Sequence, residues 1–155
     1  MKKTVRLGDV ASEICGILDE CGEVSFVYDG RDMLPIIRSG RDLVTVMSPE
    51  TDIKINDVLL YRRENGDFVL GRVIYINDGL YVMRGDDRSI NEYNIKSEQI
   101  IGKMISFDRN SKTCTVTDKG YKIYVAFLPI VFFFRKIGVI AKSRIIKFIK
   151  FLFRR

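Results

Sequence analysis

At 155 residues, 46% hydrophobic and 30% charged, the chain is too apolar for wholesale disorder and long enough for one domain plus an appendage, burying about two thirds of its unfolded surface. Its three cysteines, Cys15, Cys21 and Cys114, have no Cys-x-x-Cys spacing and point to buried, reduced thiols in a cytoplasmic compartment, with no metal site and no cofactor expected. The net charge of +6 belongs to one end: residues 121–155 hold nine basic residues and no acidic one, leaving 17 of the 26 Lys/Arg against all 20 Asp/Glu before them.

The start of the chain lacks the pattern of an export signal, because Lys2 and Lys3 are followed by Arg6, Gly8, Asp9 and Glu13 before any sustained apolar run. Leu7, Val10, Ala11, Ile14, Ile17, Leu18 and Cys21 recur at three and four, which predicts an amphipathic helix over about 9–21, capped by Asp9 and stopped at Cys21-Gly22. Such a helix most simply covers a core.

Two apolar runs, Val24 to Tyr28 and Leu43 to Met47, predict strands on either side of an irregular segment, Tyr28 to Asp42, that carries Gly30, Gly40, Pro35 and several charges. Ser48 to Asp52 reads as a loop, and Ile53 to Tyr61 runs through a tight turn at Asn56-Asp57 into the next strand. Glu64-Asn65-Gly66-Asp67 predicts a hairpin with positive φ at both Asn65 and Gly66. Phe68 to Ile76 and Leu80 to Arg84 form a second hairpin around Asn77-Asp78-Gly79. Gly85 to Arg88 is a loop, Ile95 to Ile101 leads to Gly102, and Lys103 to Asp108 pairs with Lys112 to Thr117 around Arg109-Asn110-Ser111. Many short strands and a single early helix predict a compact, mainly β domain over residues 1–120, with its strands between 24 and 117.

Residues 121–155 read as a separate tail. Ile123 to Phe134 is uncharged, but its twelve residues fall short of the about 20 that span a bilayer. Extending the run past Arg135 and Lys136 buries cations at roughly 2.5–3.5 kcal/mol each. Farther on, Ile137, Ile140, Ala141, Ile145, Phe148, Ile149 and Leu152 fall on one helical face, with Lys142, Lys147, Lys150 and Arg154 largely opposite. A basic amphipathic helix lying on an anionic membrane surface, at its inner face, fits this pattern. Packing on the β domain or on a second copy is the plainer alternative. Nucleic acid is disfavoured, because phosphate binding has no use for a wide Phe/Ile face and no reading motif accompanies the charge.

The irregular segment carries a resemblance. Gly30, Met33, Pro35, Ile37, Gly40 and Asp42 resemble the nucleophile motif of the serine peptidase clan that joins signal peptidase I to the LexA-type repressors, Gly-x-Ser-Met-x-Pro-x-Ile followed shortly by Gly-Asp. Asn56-Asp57-Val58, Val69 to Ile74, Gly85-Asp86 and Gln99 to Lys103 extend it over about residues 24–108. The resemblance implies the compact fold of that clan, a groove that takes an extended peptide, and three catalytic positions. It places Asp32 where the family has its Ser nucleophile, Gly71 where it has its His or Lys base, and Asp86 at its third, acidic position. Arg72 and Gly85 belong to the same matched segments.

Those substitutions have direct chemical consequences. A hydroxyl attacks an amide only when a neighbouring base takes its proton, and here neither the hydroxyl nor the base is present. Attack by the Asp32 carboxylate would give an anhydride less stable than the amide, so collapse back to substrate is favoured. The resemblance therefore implies a pseudo-peptidase that binds extended peptides without cutting them. The alternatives are an active peptidase in which Asp32 and Asp86 share a proton and activate water, and an adaptor with a vestigial groove. In the bland reading Asp32 is structural, taking backbone N–H groups or pairing with Arg31, Arg38 or Arg72 to hold its turn.

Overall fold

The computed structural model describes residues 11–49 and 52–134. Helix α1, Ala11–Cys21, ends where predicted: Gly22 adopts φ +75° and its N–H reaches the Leu18 carbonyl at 2.9 Å. The Asp9 cap lies outside the described residues. Ile14 and Leu18 point one buried stripe of α1 into the core.

Eight strands follow: β1 Glu23–Val27, β2 Leu43–Met47, β3 Val58–Arg62, β4 Phe68–Asn77, β5 Leu80–Arg84, β6 Glu92–Lys96, β7 Ile100–Arg109 and β8 Lys112–Thr115. They form one mainly β architecture, an antiparallel sheet in the order β1-β2-β7-β3-β4-β5-β6, with β8 also on β7. A second helix, α2, runs over residues 119–134.

The sheet has apolar packing on both faces at its centre. Val58 and Leu60 join a cluster with α1, β1, β2 and Tyr121 of α2, while Leu59 and Tyr61 join a second with Val73, Met83 and Ile95. That is why Val58 to Tyr61 is an unbroken apolar run and not an alternating one.

The turns follow their local chemistry. Asn56 takes φ +79° before β3, and Asp78 and Gly79 both take positive φ in the β4–β5 hairpin. The β3–β4 turn differs from the expectation. Gly66 alone is at positive φ, its N–H bonds the Arg63 carbonyl at 2.9 Å, and the Arg63 N–H bonds the Asp67 carbonyl at 2.8 Å. The loop therefore has three residues, with Gly66 as the bulge, and Asn65 instead uses its side chain to bind Asp67. Strand β6 was not visible in the sequence, since Glu92–Lys96 is polar and becomes a strand by pairing with β5, with Asn94 at φ +60° in the irregular stretch of that register.

The cysteines are free, but Cys21 is exposed and Cys15 and Cys114 are half-buried, which corrects the expectation of buried thiols. Among the described residues no helix is long and apolar enough to cross a membrane.

Candidate functional site

The segment between β1 and β2 closes on itself at its neck. The Tyr28 carbonyl accepts the Gly40 N–H at 2.8 Å, with Gly40 at φ +67°, and Ser39 Oγ donates to the Asp29 carbonyl at 2.5 Å. Met33 and Ile37 are fully buried and anchor the loop, while Pro35, after a cis peptide bond, stays exposed. Asp42 fixes the far end. Its buried carboxylate takes Arg38 Nε at 2.9 Å and Arg109 Nη2 at 3.1 Å. Burial opposes its ionisation, but the bonds from Arg38 and the charge of Arg109 win and hold the carboxyl below its ordinary pKa.

This loop delivers Asp32 to the end of β5. The Asp32 carbonyl accepts the Asp87 N–H at 2.9 Å, and its carboxylate takes Arg88 Nε at 2.6 Å and the Tyr28 hydroxyl at 3.1 Å. The same Tyr28 hydroxyl accepts the Leu70 N–H of β4 at 3.3 Å, so one phenol joins Asp32 to the strand that carries Gly71. Burial, and next the Asp32 carboxylate, push the Tyr28 hydroxyl's pKa up, which keeps it a protonated donor.

One glycine permits this approach, and a second sits under a tyrosine ring of β3. A Cβ on Gly85 would stand 2.5 Å from the Asp32 carbonyl oxygen, so only a residue without one fits between the loop and β5. A Cβ on Gly71 would stand 3.0 Å from the Tyr61 ring. Burial, then the Glu92 carboxylate, raise the Tyr61 pKa, so at neutral pH this phenol is no base either.

Asp86 faces elsewhere. Its two carboxylate oxygens take Arg72 Nε at 2.7 Å and Arg72 Nη2 at 2.6 Å in a fully buried bidentate pair. Arg72 also donates to the Asn56 carbonyl at 2.7 Å and the Tyr121 hydroxyl at 3.0 Å, while Tyr124 donates to Asp86 at 2.9 Å. Burial works against the Arg72 charge and the Asp86 bonds outweigh it, raising its pKa. Arg84, beside this pair, stacks on the Phe132 ring at 3.6 Å, and its Nε is buried without a hydrogen-bond partner.

The structure thus brings residues 32, 70–71 and 85 together, with residue 86 next in the chain. The bonds described here put each carboxylate on its own cation: Asp32 on Arg88, Asp86 on Arg72. The expected partners of Asp32 need correction: Arg38 is engaged by Asp42 and Arg72 by Asp86. Arg88, 56 residues from Asp32, and Tyr61, Tyr121 and Tyr124 were missed because no local spacing signals so distant a partner, while Tyr28, four residues from Asp32, read only as the end of a strand. A cavity of about 230 Å³ lined by Asn56, Val58, Met104, Tyr121 and Val125 lies against α2 and includes none of these acids.

Beside Asp32, one side of β4 has no strand partner over a short stretch, where Val69, Leu70 and Gly71 are buried and the Leu70 N–H is bonded to the Tyr28 hydroxyl. β5 pairs with β4 only from Arg72 to Asn77, so within the described sheet residues 68–71 face no strand on that side. The membrane residues singled out in the sequence, Arg135, Lys136, Lys142, Lys147, Phe148 and Lys150, lie outside the described residues. Among those described, no group of His, Cys, Asp and Glu is placed to hold a metal ion. No protein-family model matches the chain, and no curated protein matches it.

Proposed function

We propose that this protein is a catalytically silent relative of the signal peptidase I and LexA-type clan that captures an extended peptide along the edge of β4, at the cytoplasmic face of a membrane. The observation that carries the reading is the meeting of Asp32, the Leu70-Gly71 strand and the Gly85-Asp86 turn, with Asp32 held by Arg88 and Tyr28. A site of this kind has no hydroxyl at position 32 and no Lys or His at position 71, and a ligand in β conformation pairs with β4 by taking the Leu70 N–H from the Tyr28 hydroxyl. Arg88 is more than half exposed and paired with Asp32 at 2.6 Å, so an acidic peptide group reaches it in competition with that carboxylate. Three free cysteines support the reducing compartment, and the basic end of the chain supports peripheral attachment.

Incubation with a peptide library tests the silent half: wild type and Asp32→Ala should both leave every peptide uncut. Cleavage by the wild type that Asp32→Ala abolishes would replace this reading with carboxylate chemistry. NMR titration with peptides tests the binding half. Saturable amide shifts at Leu70, Gly71 and Gly85 are expected, and a folded protein with no shifts at any peptide concentration removes the groove.

A further inference from the structure

Helix α2 has two unlike faces. Tyr121 and Leu128 are buried, Val125 packs on the main core, Tyr121 and Tyr124 bond the Arg72–Asp86 pair, and Phe132 lies on Arg84. The opposite face shows Ile123, Phe127, Ile130, Val131 and Phe134 at i, i+4, i+7, i+8 and i+11, each 41–65% exposed. An apolar stripe of that width is not left to water without a partner.

The charge of the chain selects the partner. Residues 121–155 carry nine cations and no anion, so a second copy laid on this stripe would bring two such segments together against their repulsion. An anionic bilayer reverses the sign of that interaction, and it accepts the Phe and Ile side chains below the headgroups.

We infer that the outer face of α2 is a membrane-docking surface that seats its Ile123–Phe134 stripe in an anionic lipid bilayer. It deepens the peripheral attachment proposed above and rests on it. Because the inner face is bonded to the Arg72–Asp86 pair, the docked helix holds the β domain against the bilayer as a rigid body, where a flexible tether would let it wander.

The chain has no Trp, so Phe127→Trp in the full-length protein gives a single reporter. Equimolar phosphatidylglycerol and phosphatidylcholine vesicles with brominated acyl chains should quench it several-fold more than a Tyr75→Trp control on the exposed side of β4. Neutral phosphatidylcholine vesicles should quench neither. Phe134→Trp serves as the second reporter should Phe127→Trp disturb folding by circular dichroism. Co-sedimentation with anionic vesicles without quenching at either position overturns this surface while leaving peripheral attachment standing. No co-sedimentation overturns both. A dimer mass by light scattering, with the reporters shielded in the absence of lipid, assigns the stripe to a second copy and overturns the proposal as well.

Discussion

Gly85 and Gly71 show how the lack of a side chain shapes the site. The Cβ of an alanine at position 85 would meet the backbone oxygen of Asp32 at 2.5 Å and Arg88 Cγ at 2.9 Å, and a main-chain oxygen cannot rotate away. At position 71 the neighbour is the end of the Tyr61 ring at 3.0 Å, which yields by a small tilt. Gly71→Ala should cost about 1–3 kcal/mol, the usual range for overpacking a core. Gly85→Ala should cost more and should also release Arg88 from Asp32. Urea denaturation of the two variants checks the order, and equal costs would mean that the loop moves freely.

At the scale of elements, the loop between β1 and β2 is tied to β7 chiefly through Arg109, which reaches the Asp42 carboxylate and two loop carbonyls. Asp42 accepts from Arg38 within the loop and from Arg109 at the end of β7, and Arg109 donates further to the Pro35 and Ile36 carbonyls at 2.8 and 2.7 Å. The Asp42 carboxyl is held below its unfolded value of 3.8, so the folded state binds its proton less readily than the unfolded chain. Its contribution is complete above that pH and is lost as pH falls through the depressed folded value. Asp42→Asn should therefore be less stable than wild type at pH 7, and the gap should close below about pH 3.8. Chemical denaturation between pH 2 and pH 7 reads this out; a gap independent of pH would assign the loss to packing.

Over the whole molecule, α2 is a structural part of the β domain across its inner face. Tyr121 belongs to the main hydrophobic cluster and its hydroxyl caps Arg72, while Tyr124 completes Asp86. Truncation after Gly120 should leave this buried ion pair short of two hydroxyl partners, each worth about 1–3 kcal/mol when lost beside a charge. A fall in Tm and faster amide exchange around Arg72 and Asp86 are expected. An unchanged Tm would show that the pair is satisfied without the helix.

What the sequence determined by itself was local. Positive-φ residues such as Asp78-Gly79, Asn56 and Gly22 name their own turns, because backbone sterics act within a few residues; the apolar runs between those turns name most strands, so the mainly β class was legible. Asp32, Gly71, Gly85 and Asp86 stood out only through the resemblance to a peptidase motif, which does not say what their side chains bond. Tertiary structure decided which charges pair: Arg88 for Asp32, Arg72 for Asp86, Arg38 and Arg109 for Asp42. It also made a strand of polar Glu92–Lys96 and gave α2 one buried and one exposed face. Ion pairs and strand pairings depend on which distant segments the folded sheet sets side by side, and nothing in the spacing of residues along the chain carries that distance.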